Sequence, residues 1–244
     1  MPRSRRRTTT VLGSLLTILV LAVSACSSED RAVSQEEARE LAGSPQAVKA
    51  RQDTEERLRA VARAYADRTP LTLGLVVVRD VCLKGEAKQV FDPDGYDPFK
   101  IKCSLRVTAY YGAGPKQMGN LLDSVLDEGD RTGSLITFGH DDFRDHLVAY
   151  YRGKGPNPIG ADSEEPTQLS DPSQTLSWDP LRDRNSHRTV QEPDACTQND
   201  PPVTRCVLEP KAKTVAALRK QYGMVFQLEL ATADYYEVSR NEQP

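Results

Sequence analysis

Residues 100–111 read Lys100-Ile101-Lys102-Cys103-Ser104-Leu105-Arg106-Val107-Thr108-Ala109-Tyr110-Tyr111. Ile101, Cys103, Leu105, Val107, Ala109 and Tyr111 alternate strictly with Lys100, Lys102, Ser104, Arg106, Thr108 and Tyr110. A period of two predicts a β-strand, because successive side chains of an extended chain point to opposite faces. One face is apolar and the other wet, as in an antiparallel sheet covered on a single side. The remaining chain must therefore supply neighbouring strands and helices to cover the apolar face.

Those elements can be read on both sides of the stretch. Ser34 stands three residues before Glu37, a capping box that starts a short helix before Gly43. Ser44-Pro45 starts another, since serine caps and proline suits the first turn. Leu58, Val61, Ala62 and Tyr65 form its apolar stripe, and Thr69-Pro70 ends it. Residues 71–82, with Val76, Val77 and Val78, read as a strand. After Gly114-Pro115, the spacing of Met118, Leu121, Leu122, Val125 and Leu126 predicts a helix closed by Gly129. Residues 135–138 and 146–151 read as two strands around a polar turn at 139–145.

Residues 152–204 hold eight of the sixteen prolines, with Gly153, Gly155 and Gly160 near their start. Only residues 176–178 suggest a strand there, and so long a loop is unusual inside a compact domain. Val207-Leu208 reads as a short strand, Pro210 as the start of a helix ending at Gly223, and residues 224–231 as a final strand. The expected fold is α+β: a mainly antiparallel sheet with helices on one face, plus a long Pro/Gly-rich loop. No clear βαβ alternation occurs, which argues against a two-lobed solute receptor.

The chain has five cysteines. Cys82, Cys103, Cys196 and Cys206 lie in the body of the protein, and four cysteines allow three pairings. The local pairing, Cys82 with Cys103 and Cys196 with Cys206, closes short loops, each worth about 3 kcal/mol by loop entropy. No C-x-x-C is present, so disulfides of an exported protein fit better than a zinc finger.

The first thirty residues agree with export. Arg3, Arg5, Arg6 and Arg7 precede an apolar run over residues 11–23, and Val23-Ser24-Ala25 lead into Cys26. The run is too short for a membrane-spanning helix, which needs about 20 residues, and the layout is that of a secretory signal. Val23-Ser24-Ala25-Cys26 resembles the lipobox of a bacterial lipoprotein, and the style of the composition resembles actinobacterial proteins. The resemblance implies that residues 1–25 are cleaved, that Cys26 carries a diacylglycerol thioether, and that its amine is acylated. Thr8, Thr9 and Thr10 stand where a twin-arginine signal has apolar residues, so the general secretory route is preferred.

This divides the chain into a signal peptide at 1–25, a tether and short helix at 26–43, and one domain at 44–244 with the loop-rich insertion at 152–204. Residues 1–25 hold four of the 32 basic residues and no acidic ones, leaving 28 basic against 35 acidic, a formal charge of −7. Nucleic acid and anionic headgroups are poor partners for such a surface. The expected place is the outer face of the cell membrane, reached through the lipid on Cys26, with an envelope protein or glycan as partner and no cofactor.

Several constellations bear on chemistry. His140, Asp142 and His146 lie around the polar turn and could hold a divalent metal, the basis of an alternative reading as a metal-dependent envelope hydrolase. Their spacing matches no metalloprotease motif, and polar residues also suit a turn. Asp92, Asp94 and Asp97 are three carboxylates close enough in sequence to converge on calcium, although Tyr96 and Cys103 stand where an EF-hand places oxygens and Asp97 where it places glycine. Ser186-His187 lacks the elbow that positions a nucleophilic serine. The doublets Tyr110-Tyr111, Tyr150-Tyr151 and Tyr235-Tyr236 each end a predicted strand, so that one ring of each would face outward. Tyr110, Tyr150 and Tyr235 would then form an aromatic platform for a glycan, peptide or protein. A non-enzymatic binding module is the favoured reading.

Overall fold

The alternating stretch is the long central strand of an antiparallel sheet. The computed structural model describes residues 32–86, 97–131, 141–171, 174–182, 187–196 and 203–240. Strand β2 (Phe99–Ala113) pairs along one edge with β1 (Thr72–Lys84). Its other edge is shared by β7 (Ala233–Ser239) over the first half and β6 (Met224–Leu230) over the second. These two are one track along β2, interrupted at Ala231-Thr232. Outside β1 lies β5 (Val203–Glu209); outside β6 lies β4 (Gln174–Trp178), then β3 (Gln168–Asp171). The α+β fold built on an antiparallel sheet is thus as the alternation requires.

The inner set Ile101, Cys103, Leu105, Val107, Ala109 and Tyr111 is fully buried. Helix α1 (Gln35–Ala42), α2 (Pro45–Arg68), α3 (Met118–Arg131) and α4 (Asp141–Tyr151) lie on this face. Ser34 Oγ accepts from the Glu37 amide, and Ser44 Oγ from the Ala47 amide, so both expected caps form. Ala62, Tyr65, Leu122, Val125, Leu126, Leu147 and Val148 pack on Val78, Leu105, Val107, Trp178, Phe226 and Leu228. Each Leu-sized side chain so buried contributes about 1.5–3 kcal/mol against conformational entropy. Tyr111 Oη donates to the Ala62 carbonyl, tying α2 to the sheet at 2.9 Å.

Helix α2 also docks through charge. Arg51, Glu55 and Arg59, four residues apart, fall on one face. Arg51 Nε meets Asp80 at 2.8 Å, Arg205 meets Glu55 at 2.6 Å, and Arg59 meets Glu209 at 2.9 Å. A plus-minus-plus stripe on the helix thus faces minus-plus-minus on β1 and β5, which favours one axial register of the helix over its neighbours.

A fifth described helix, α5 (Val215–Tyr222), covers the opposite face at one end of the sheet. There Leu75, Val77, Tyr110 and Val225, the outward residues, are buried with Val215 and Leu218. Two glycines make room for it. A Cβ on Gly74 would stand 2.2 Å from Leu218 Cδ2, and one on Gly112 2.0 Å from Tyr222 Cδ2.

Several expectations are corrected. Residues 146–151 are the end of α4, not a strand, because Arg144, Leu147, Val148 and Tyr151 all turn toward α3 and the core in helical spacing. Residues 135–138 and His140 lie outside the described residues. Pro210 ends β5, and α5 begins later, capped by Thr214 Oγ1 on the Ala217 amide. The insertion at 152–204 contributes β3 and β4, which extend the sheet beyond β6. Among the described residues no helix is long and apolar enough to cross a membrane.

Candidate functional site

Both local disulfides form. Cys82 and Cys103 stand directly opposite each other on β1 and β2, their Cα atoms 4.0 Å apart beneath α1. Cys196 and Cys206 join the end of the insertion to β5, with Cα atoms 5.3 Å apart. Cys26 lies outside the described residues.

The tyrosine doublets are not brought together. Tyr110 and Tyr111 split between the two faces as the alternation predicts, but Tyr110 is buried beside α5, where burial first and then Glu229 push its hydroxyl up to about 12. Tyr235 and Tyr236 both turn toward the helices: Tyr235 Oη donates to Asp80 Oδ1 at 2.7 Å, and Tyr236 Oη meets Ser44 Oγ at 3.3 Å. A β-bulge opposite Cys103 and Ser104 breaks the alternation there, which puts two successive rings on one side. Tyr150 and Tyr151 sit on the last turn of α4. A platform of Tyr110, Tyr150 and Tyr235 is therefore not what the fold builds.

The other constellations fall largely outside the described residues. His146 is exposed on α4, while His140 and the Asp142 side chain lie outside the described residues. Asp92, Asp94 and Ser186 also lie outside them; Asp97 Oδ2 accepts from the Glu86 amide, and His187 is exposed. Among the described residues no group of three His, Cys, Asp or Glu side chains could hold a metal.

What the insertion builds instead is a cleft of about 460 Å³ at the C-terminal end of α4. Its floor starts from the last helical turn, which points Tyr150 and Tyr151 in different directions. Tyr151 is an anchor: its hydroxyl donates to the Pro166 carbonyl and accepts from Trp178 Nε1 at 3.0 Å. Burial pushes that hydroxyl far above its ordinary pKa. Tyr150 packs edge-on against Tyr151, ring centroids 5.1 Å apart, and presents itself to the cleft. Gly153, in the left-handed region at φ 69°, ends the helix and turns the chain into the first wall.

That wall, residues 156–165, is knotted by Asn157. Its Nδ2 donates to the carbonyls of Ser163 and Glu164, and its Oδ1 accepts from the Ile159 amide. The second wall, residues 179–182 and 187–190, hangs from Asp179, nearly inaccessible to solvent. Asp179 accepts from Arg219 Nε at 2.8 Å, Arg219 Nη2 at 2.9 Å, and the amides of Val190 and Val225 at 2.9 Å each. Buried charges hold their place only when paired and hydrogen-bonded, and this carboxylate is both. Glu192 continues the bracing by accepting from the first amides of α5, Val215 and Ala216, at 2.8 Å each.

The walls are joined across the cleft. Arg188 donates to Glu164 Oε2 at 2.8 Å, to Thr167 Oγ1 at 2.6 Å, and to the Glu165 carbonyl. Glu165 Oε2 in turn accepts from the Arg182 amide at 3.0 Å. Such cross-bracing preforms the concavity, so a ligand entering it would not have to order two loops first. A second, smaller groove of about 200 Å³ on the opposite sheet face contains Tyr110, but its arginines are engaged by Asp194 and Glu229.

The cleft residues carried no motif. Gly153, Gly155 and Gly160 stood out only as loop formers, and Asp179 and Arg188 gave no signal of a site because their partners are distant in sequence. No protein family, curated protein or solved structure matches this chain.

Proposed function

We propose that the protein is a lipid-anchored extracytoplasmic binding module, held to the cell membrane by acylated Cys26 and engaging an envelope component through the cleft at the end of α4. The observation that carries the binding role is the braced cleft: two walls of irregular chain are fixed by buried and half-buried hydrogen bonds around an open volume. Long irregular segments positioned on a rigid scaffold are where binding residues concentrate. The anchoring role rests on the lipobox-like sequence at Cys26, and two buried acyl chains suffice for stable attachment where one does not. The acidic balance of the remaining chain leaves lipid, rather than charge, to hold it.

The test has two arms. Cys26→Ala should release the chain from membranes or stall its processing, and a processed variant that stays fully membrane-bound would contradict the anchor. The soluble domain from residue 27, immobilised, should retain envelope material that Ala161→Trp, which fills the cleft, does not. Equal retention by both would contradict the cleft.

A further inference from the structure

The hydrogen-bonding groups around the cleft divide into those already committed and those left over. Asn157 is spent on the loop knot. The Arg188 guanidinium is spent on Glu164, Thr167 and the Glu165 carbonyl. Arg182 differs: its amide is held by Glu165, but its guanidinium makes no hydrogen bond or ion pair with any described residue. It lies over the ring of Tyr150, 5.2 Å from the centroid, and is exposed. This cation–π contact holds the guanidinium at the ring and uses none of its N–H donors. The Tyr150 hydroxyl likewise has no partner among the described residues.

From this arrangement we propose that the cleft recognises a carboxylate-bearing ligand, whose carboxylate is taken by the free edge of Arg182 and whose body rests against Pro156, Pro180 and the rim of Tyr150. The inference rests on the cleft being the binding site. A planar guanidinium edge matches a carboxylate in two parallel hydrogen bonds. A phosphate dianion fits less well: Glu164 is paired with Arg188, Glu165 also lines the cleft, and the Arg182 guanidinium offers one positive charge, so a second negative charge on the ligand would meet carboxylates rather than cations. The apolar contacts favour a compact ring or short chain, and about 460 Å³ is small-molecule size. In an envelope setting the same chemistry is offered by an acidic sugar and by a peptide C-terminus.

The experiment titrates the soluble domain, labelled with ¹⁵N, with four probes: a glucuronic acid disaccharide, its methyl ester, a tripeptide with a free C-terminus, and the same tripeptide amidated. We expect at least one free acid to shift the Arg182 and Glu165 amides, its neutralised form to bind at least tenfold more weakly, and Arg182→Gln to weaken the acid by the same factor. Arg182→Lys should recover only part, because an ammonium cannot form the paired contact. Which acid binds tells sugar from peptide. Equal binding of acid and neutral forms, unchanged affinity in Arg182→Gln, or no binding by either acid would overturn the proposal. Retention of envelope material that Ala161→Trp abolishes would in that case still support the cleft, so the two readings fail separately. Arg182→Gln keeps the backbone N–H hydrogen bond to Glu165, and an unchanged amide spectrum outside the cleft confirms its fold.

Discussion

Arg51 and Asp80 meet at 2.8 Å beneath helix α2, the carboxylate wholly buried and held also by the Tyr235 hydroxyl. Burial raises the Asp80 pKa above its ordinary value of 3.8, and Tyr235, Arg51 and Arg205 only partly offset it. The folded state therefore keeps its proton longer than the unfolded chain does. Stability from this group is full below pH 3.8 and is lost as the pH rises through the raised pKa. Denaturation of wild type and Asp80→Asn across the acid range should show wild type losing ground to the variant as pH increases through that window. A constant difference would contradict the assignment.

Glu55, one turn along α2, should show the opposite slope. Burial pushes its pKa up, but hydrogen bonds from Arg205 and Arg59 outweigh this and hold it below 4.5. Its contribution is present above pH 4.5 and is lost as the pH falls through the lowered value. Glu55→Gln should cost stability near neutrality, with the cost fading in acid, as read from urea midpoints at several pH values.

Asp179 holds the second wall of the cleft to α5 and β6. Asp179→Ala leaves the buried amides of Val190 and Val225 unpaired and Arg219 without its carboxylate. Breaking a buried pair in this way costs about 3–5 kcal/mol. Chemical denaturation should show that loss, and amide exchange should speed up first at Val190 and Arg182.

The cross-strand disulfide is structural. Cys82→Ala with Cys103→Ala opens a loop closed over a separation of 21 residues, and the chain-entropy estimate puts the loss at about 3 kcal/mol. A shift of the denaturant midpoint at unchanged slope is the expected outcome.

Gly74 and Gly112 test the placement of α5. Either one changed to Ala drives a Cβ into Leu218 or Tyr222, with an expected cost of about 1–3 kcal/mol. Gly114→Ala meets nothing within 4 Å and should be close to neutral. Thermal denaturation of the three variants separates a packed α5 from a loosely attached one.

These positions also show what can be read from sequence. The strict alternation of Ile101 to Tyr111 and the serine caps at Ser34 and Ser44 are local signals, and each formed as written. Leu147-Val148-Ala149-Tyr150-Tyr151 misled because a short apolar run fits strand and helix alike, and the decisive contacts of Arg144 with Asp123 and Asp130 come from another helix. Tyr235 and Tyr236 misled because a bulge depends on the partner strand. The cleft was illegible for the same reason in stronger form. Arg188 with Glu164, and Asp179 with Arg219, are pairs 24 and 40 residues apart, which no periodicity announces.

The most direct test of the cleft as docking place is hydrogen–deuterium exchange of the soluble domain with and without solubilised envelope material. Protection confined to residues 156–165, 179–182 and 187–190, including the Arg182 amide, is the predicted result. Protection located instead on the wet sheet face around Arg106, or along α1 and α2, with none at the cleft, would contradict it.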